Sequence, residues 1–295
     1  MKWYGDVRAV DGISFTVAWG EVFGLLGPNG AGKTTTLEIL EGLRRPSGGF
    51  VAVAGADVTR DRARVLRHTG LQLQATALFE LLTVRETIDL FGSFYGQAIP
   101  TDRLLADLAL EEKAGALVQH LSGGQKQRLS LALALVHDPD IVFLDEPTAG
   151  LDPQARRKVW DVIRRLRDRG KTVILSTHYM EEAQELCDRV AILDHGRILA
   201  LGTPAALVRS HFEDSIVEFT VPGAATESAL AALDILPPGS RSEQRVRITT
   251  REVTATLDAI LRWARDHGLA IDQLTVRNPS LEDVFIELTG RSLVP

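Results

Sequence analysis

Between an apolar run, Val22-Phe23-Gly24-Leu25-Leu26, and a helical pattern lies Gly27-Pro28-Asn29-Gly30-Ala31-Gly32-Lys33-Thr34. Its spacing, G-x-x-x-x-G-K-[ST], constrains the fold more than any other feature of the chain. A loop wraps a polyphosphate with main-chain N–H groups only when bulky side chains stay out of the way. Gly27, Gly30 and Gly32 meet that demand. The apolar run reads as a strand buried on both faces, and Thr36, Leu37, Leu40 and Leu43 begin a helix face. The helix N-terminus then points free N–H groups and partial positive charge at the same anion. In such a loop Lys33 reaches the β/γ phosphates, and the Thr34 hydroxyl is placed to ligate Mg2+. A glycine-rich turn with a chance lysine would not need this strand-loop-helix setting.

The chain has 295 residues, enough to bury a full core and to hold two domains. Its formal net charge of -6 argues against nucleic acid as the main partner. No run approaches the roughly 18 apolar residues of a membrane span. Met1-Lys2-Trp3 leads straight into strand-like sequence, so no signal sequence is expected. The single cysteine, Cys187, excludes an internal disulfide, fits a reducing compartment and reads as a packing residue. The expectation is a soluble, cytoplasmic protein.

Along the chain, Ile13, Phe15 and Val17 alternate with polar or small residues, a strand with one buried face. A short strand is expected over 50–53, a small helix over 62–67 and a strand over 71–74. From 75 to about 119 the pattern turns helical, an insertion between two halves of an α/β core. Ser122-Gly123-Gly124 caps an apolar helix that runs to 136. Ile141-Val142-Phe143-Leu144 is another buried strand, ending in Asp145 and Glu146. Val159, Ile163 and Leu166 mark the inner face of a helix whose outer face is rich in arginine, a contact patch or, as is more common for such runs, a solvated face. A strand over 173–175 delivers His178, and a hairpin about His195-Gly196 follows. The succession is α/β with parallel central strands.

A second unit is expected from 213 to 295. Strands are read over 216–221, 245–249 and 270–276, with helices over 227–233 and 254–267. The second of these helices carries Leu257, Ile260, Leu261 and Ala264 on one face. Leu281, Val284, Phe285 and Leu288 make a last amphipathic helix. This unit shows no glycine loop, metal spacing or paired carboxylates, and its sequence does not disclose its job.

Nucleotide hydrolysis needs a phosphate cradle, a metal and a group that positions water. Asp145, at a buried strand end, is suited to orient the hydration shell of Mg2+, and Glu146 to polarise attacking water. Gln74 offers an amide oxygen to metal or water; Gln72, on the same side of the strand, competes for that role.

Leu121-Ser122-Gly123-Gly124-Gln125 resembles the signature motif of ABC-type ATPases. Walker A precedes it; residues 141–146 follow as Walker B, Ala149-Gly150-Leu151-Asp152 as the D-loop and His178 as the switch histidine. The similarity covers Tyr4 to about Thr203. It implies a P-loop ABC ATPase core with an antiparallel β subdomain and a helical subdomain (about 75–136) over 1–212, and a small α+β C-terminal domain over 213–295. It also implies ATP and Mg2+ as ligands. Asn29, Gly30, Ala31, Gly32, Lys33, Thr34 and Thr35 would hold the phosphates and Tyr4 would stack on adenine, with Trp3 a less suited stand-in. Thr34 and Gln74 would ligate Mg2+, with Asp145 behind its waters. Lys33, Glu146 and His178 would be catalytic, Glu146 as general base. Ser122, Gly123, Gly124, Gln125 and Asp152 would act in trans, in a head-to-tail dimer with ATP sandwiched between two copies or between the chain and a paralogue.

Glu41-Gly42-Leu43-Arg44-Arg45-Pro46 and Asn278-Pro279-Ser280-Leu281-Glu282-Asp283-Val284-Phe285 resemble the daunorubicin-resistance-like, drug-exporter branch. That branch implies a separate membrane permease as partner, received near residues 74–86, and a peripheral place on the cytoplasmic face of the plasma membrane. Two features depart from the pattern. Family members carry a strand of roughly ten residues ahead of the adenine aromatic, and Trp19 stands where proline is usual. Two other readings compete. A soluble ABC ATPase acting on ribosomes or DNA would bring a basic balance, tandem cassettes or coiled-coil insertions, which this sequence lacks. A catalytically silent paralogue would not keep Lys33, Asp145, Glu146 and His178.

Overall fold

The computed structural model describes residues 1–73, 78–212, 214–221, 241–242 and 245–290. They fall into two compact units, Met1–Pro204 with residues 288–290, and Ala205–Glu287. In the first, β1 (Lys2–Tyr4) pairs antiparallel with β2 (Val7–Val10). β3 (Val22–Leu26) then runs into the glycine loop and α1 (Lys33–Leu40). A small hairpin of β4 (Ala52–Val53) and β5 (Ala56–Asp57) follows, then α2 (Arg62–His68) and β6 (Thr69–Gln72). Helices α3 (Val84–Gly92), α4 (Thr101–Asp107) and α5 (Gly123–Leu135) form the helical stretch. The core resumes with β7 (Ile141–Asp145), α6 (Pro153–Asp168), β8 (Thr172–Thr177), α7 (Met180–Leu186), β9 (Arg189–Asp194) and β10 (Arg197–Gly202).

The central sheet has six strands in the order β10-β9-β3-β8-β7-β6, parallel except for β10. β3, β7 and β8 are buried at every residue, which is why they read as nearly continuous apolar runs. One sheet face packs Phe23, Leu25, Phe143 and Ile174 against Leu37 of α1 and Val65 of α2. The register sets Leu26 beside Thr177 and Asp145 beside Ser176, so the strand ends that carry chemistry are neighbours.

Capping is legible in the local sequence. Thr83 and Glu86 form a capping box on α3, Ser122 and Gln125 another on α5, and Asp152 caps α6 with Pro153 in its first turn. The arginine face of α6 is more than a solvated surface. Arg169 binds Asp107 at 2.8 Å, Arg167 binds Asp188 at 2.9 Å and Arg165 donates to the Asp107 carbonyl at 2.6 Å. The face therefore ties α6 to neighbouring elements. Cys187 is buried, and burial pushes its thiol up, as befits packing rather than reactivity.

One expected strand does not form. Residues 13–18 alternate in burial, and Phe15 stacks on Phe23 at 5.1 Å, yet no strand ladder includes them. The alternation reports how side chains are buried; a ladder also needs a second backbone alongside. The strand expected over 50–53 shortens to β4 for the same reason. The strand expected over 71–74 is β6, which ends at Gln72; Gln74 lies outside the described residues.

In the second unit α8 (Pro204–His211) leads to β11 (Ser215–Thr220), β12 (Arg241–Ser242) and β13 (Arg245–Thr250). α9 (Val253–Asp266), β14 (Asp272–Arg277) and α10 (Leu281–Thr289) complete it. The sheet is antiparallel in the order β12-β13-β11-β14, with Val217, Phe219, Val246 and Ile248 packed on Ile260, Trp263 and Ala264 of α9. Leu261, expected on the inner face of α9, is 50% exposed, and Trp263 is buried instead. Larger indole area outweighs one leucine in choosing the inward stripe. The helix expected over 227–233 lies outside the described residues.

Candidate nucleotide site

The glycine loop is held in a form that other residues would not tolerate. Gly27 has φ 152°, and a Cβ there would meet the Leu193 carbonyl oxygen at 2.2 Å. Gly32, at φ 100°, would place a Cβ 2.3 Å from the Ala9 carbonyl oxygen. Gly32 also opens α1 with no side-chain cap, so the first N–H groups of that helix remain available to an anion. Asn29 and Gly30 are exposed, Ala31 is buried and Thr35 is half-buried.

Lys33 is 4% exposed and its ammonium lies inside the loop. It donates to the Gly27 carbonyl at 2.9 Å and the Pro28 carbonyl at 3.1 Å, and stands 3.6 Å from Glu146 Oε1. Burial lowers its pKa, while Glu146 and Asp145 pull it back up. The Thr34 hydroxyl donates to Asp145 Oδ1 at 3.3 Å, bringing together two residues expected around the metal.

Glu146 follows the end of β7 with φ 49°, a left-handed conformation rare for a residue with a side chain. Its N–H donates to the Ser176 carbonyl at 3.2 Å and to Ser176 Oγ at 3.0 Å. The Ser176 hydroxyl in turn donates to Asp145 Oδ1. Ser176 thus links both carboxylate residues, a role that sequence reasoning missed. Its one signal was its place on the buried strand β8, two residues before His178. His178 Nδ1 lies 3.3 Å from Glu146 Oε1, without the alignment of a hydrogen bond. Lys33, Thr34, Asp145, Glu146 and His178 therefore converge on one strand-end cluster.

Other expected residues stand apart from it. Ser122 Oγ accepts from the Gln125 N–H at 3.3 Å, and Gln125 Oε1 accepts from the Ser122 N–H at 2.9 Å. Gly124 abuts Ala155 of α6, where a Cβ would come within 2.8 Å. Asp152 accepts from the Gln154 and Ala155 N–H groups at 2.9 Å each. None of these bonds reaches the chain's own glycine loop. The Tyr4 ring is 40% exposed, with Lys2 and Arg44 each 5.2 Å from its centroid, so it is no core aromatic. Gln72 is 1% exposed, and neither of its amide atoms has a hydrogen-bond partner.

A family model described as ABC transporter matches residues 10–149, and one for the C-terminal domain of ABC transporter domain-containing-like proteins matches residues 215–280. The Nod factor export ATP-binding protein I of Paraburkholderia xenovorans is 44% identical over 99% of this chain and 95% of its own length. The chain belongs to the ABC transporter family. A Rhizobium protein of the same description is likewise 44% identical over 99% of this chain and 95% of its own. Two solved ABC structures align as well. The dimeric post-hydrolysis state of an ATP-binding cassette bound to ADP and Pi has TM-score 0.61 and 28% identity, over 66% of this chain and 90% of that one. An ATP-binding subunit of an ABC transporter has TM-score 0.64 and 29% identity, over 71% and 90%. The chain is an ABC ATPase that binds and hydrolyses ATP. Relatives described as export subunits weigh against the ribosome or DNA reading. Their description names a different cargo from the drugs implied by the daunorubicin-resistance resemblance.

Proposed function

We propose that this ABC ATPase powers export through a separate permease, by closing a sandwich dimer around ATP. The observation that carries the dimer is the split of the site: phosphate loop, base and switch histidine converge, while the capped tip of α5 makes no bond to them. Ser122, Gly123, Gly124 and Gln125 are then a second anion receptor for the ATP held by another copy or a paralogue, with Asp152 coupling the two sites. The dimeric cassette with ADP and Pi among the solved relatives supports this arrangement.

Asn29 to Thr35 wrap the triphosphate, with Lys33 on the β/γ phosphates. The residues present suit Mg2+, since the Thr34 hydroxyl and the Asp145 carboxylate already face one another. Gln74 is proposed as a further ligand and Tyr4 as the adenine platform. When bound, Mg2+ would neutralise charge on the phosphates. Glu146 accepts the proton of attacking water, and His178 steadies the γ-phosphate beside it.

The permease contact is proposed near residues 74–86. Phe79 and Leu81 are 54% and 78% exposed, and a groove of about 960 Å³ lined by Leu71, Phe91, Phe94, Tyr95, Leu133 and His137 lies in the same unit. No helix of the described residues is long and apolar enough to cross a membrane, which suits a peripheral subunit on the cytoplasmic face. We further assign residues 1–212 to the nucleotide-binding domain, with its helical subdomain at about 75–136, and 213–295 to an accessory domain.

Full-length Glu146→Gln should elute as a dimer with ATP and Mg2+, and as a monomer without nucleotide. A chain that stays monomeric under those conditions, even when supplied with its permease in membranes, would rule the sandwich out.

A further inference from the structure

Glu182 lies on α7, four residues past His178, and has no part in the chemistry above. It is 0% exposed. Its Oε1 accepts from the Thr148 hydroxyl at 2.8 Å and from the Trp160 indole N–H at 2.8 Å, while Oε2 has no partner. Burial pushes the carboxyl above its ordinary value, against the Thr148 and Trp160 hydrogen bonds and the nearby Arg156 charge that favour its ionised form. A buried carboxyl costs free energy that a leucine would not, so this side chain is poorly explained by packing alone.

Its partners explain it. Thr148 is two residues past Glu146 and is 0% exposed, and α7, which carries Glu182, begins two residues past His178. Trp160 lies on the inner face of α6. On its other side the same loop is held by α5, where Gln127 Nε2 donates to the Pro147 carbonyl at 2.8 Å. The left-handed backbone of Glu146 persists only if its surroundings hold it.

We infer that Glu182 is a positioning residue for ATP hydrolysis, tying the loop that follows Glu146 to α6 and to α7, the helix that begins two residues past His178. The inference rests on the ATPase reading of the site. Removing the carboxyl strands the Thr148 and Trp160 donors in the interior and frees the loop to relax. A shift of about an ångström at a base costs on the order of 100-fold in rate.

The test uses full-length protein, with steady-state hydrolysis for kcat and KM and calorimetry for ATP affinity. Glu182→Gln keeps the size and the acceptor oxygen, and should hold kcat within about 3-fold of the parent. Glu182→Leu should lower kcat by about 10- to 100-fold with ATP affinity within about 2-fold. Thr148→Val should fall in the same direction, and Thr148→Val combined with Glu182→Leu should be no slower than Glu182→Leu alone. A folded Glu182→Leu or Thr148→Val chain with parental kcat would overturn the assignment, and so would losses that simply multiply in the double variant. If Glu182→Leu does not fold, Thr148→Val and Trp160→Phe, singly and together, replace it with the same two outcomes. A parent chain without hydrolysis would instead refute the ATPase reading itself.

Discussion

In the first unit, Glu41 at the end of α1 is 1% exposed, and neither carboxylate oxygen has a hydrogen-bond partner. In the second, Asp283 on α10 is also 1% exposed, but it accepts from Arg277 on both oxygens, from Arg247 at 2.7 Å and from the Ser280 N–H at 2.7 Å. The consequences are opposite in sign. Burial and the nearby charges of Asp145 and Glu38 push the Glu41 carboxyl up to about 7. The arginines and Ser280 hold Asp283 below its ordinary value in spite of burial. A closed network of this kind is architecture, with every Asp283 oxygen engaged by Arg277, Arg247 or Ser280. The ATPase unit instead keeps polar groups open to further partners: the uncapped start of α1, and an ammonium hydrogen-bonded to two loop carbonyls and paired with Glu146.

The comparison predicts where each kind of loss will appear. Glu146→Gln should slow hydrolysis by about 10² to 10⁴-fold while ATP binding persists, whereas Asp283→Ala should leave kcat unchanged. Equal losses from both would erase the distinction between the units. Asp283→Ala should instead destabilise the C-terminal unit by about 3–5 kcal/mol, read as faster amide exchange over Ser215–Thr220. The part of this stability that comes from the lowered carboxyl pKa is present above the unfolded value of 3.8 and is lost as pH falls through the lower folded pKa.

Glu41 should show the reverse slope. The unfolded chain gives up this proton near 4.5 and the folded chain near 7, so the folded state holds more protons in between. Stability is full below the unfolded value and falls as pH rises through about 7, by at most about 3 kcal/mol. Glu41→Gln should flatten the dependence of the urea midpoint on pH between 5 and 8. A slope that survives the substitution would mean that another group carries it.

Much of this molecule was legible because its signals are local. The G-x-x-x-x-G-K-[ST] spacing and the Ser122 cap of α5 each act within a few residues, so sequence neighbours suffice to reveal them. Three readings were decided by a remote partner. Alternation over 13–18 could not say whether a second strand lies alongside. Leu261 lost the inner face of α9 to Trp263 because the opposing sheet chose the larger side chain. The arginines of α6 found acids such as Asp107 and Asp188, which lie on other elements.

From the sequence alone came the phosphate loop, the adjacent carboxylates, the histidine and the family they resemble, since each is a pattern of contiguous residues. Tertiary structure decided that Asp145 faces Thr34, that Ser176 joins Asp145 to Glu146, and that Glu182 grips Thr148 and Trp160. The Ser176 contacts follow from parallel pairing, in which Asp145 of β7 lies beside Ser176 of β8. Residues far apart along the chain become neighbours only when strand register fixes which ends meet, and no local spacing encodes that register.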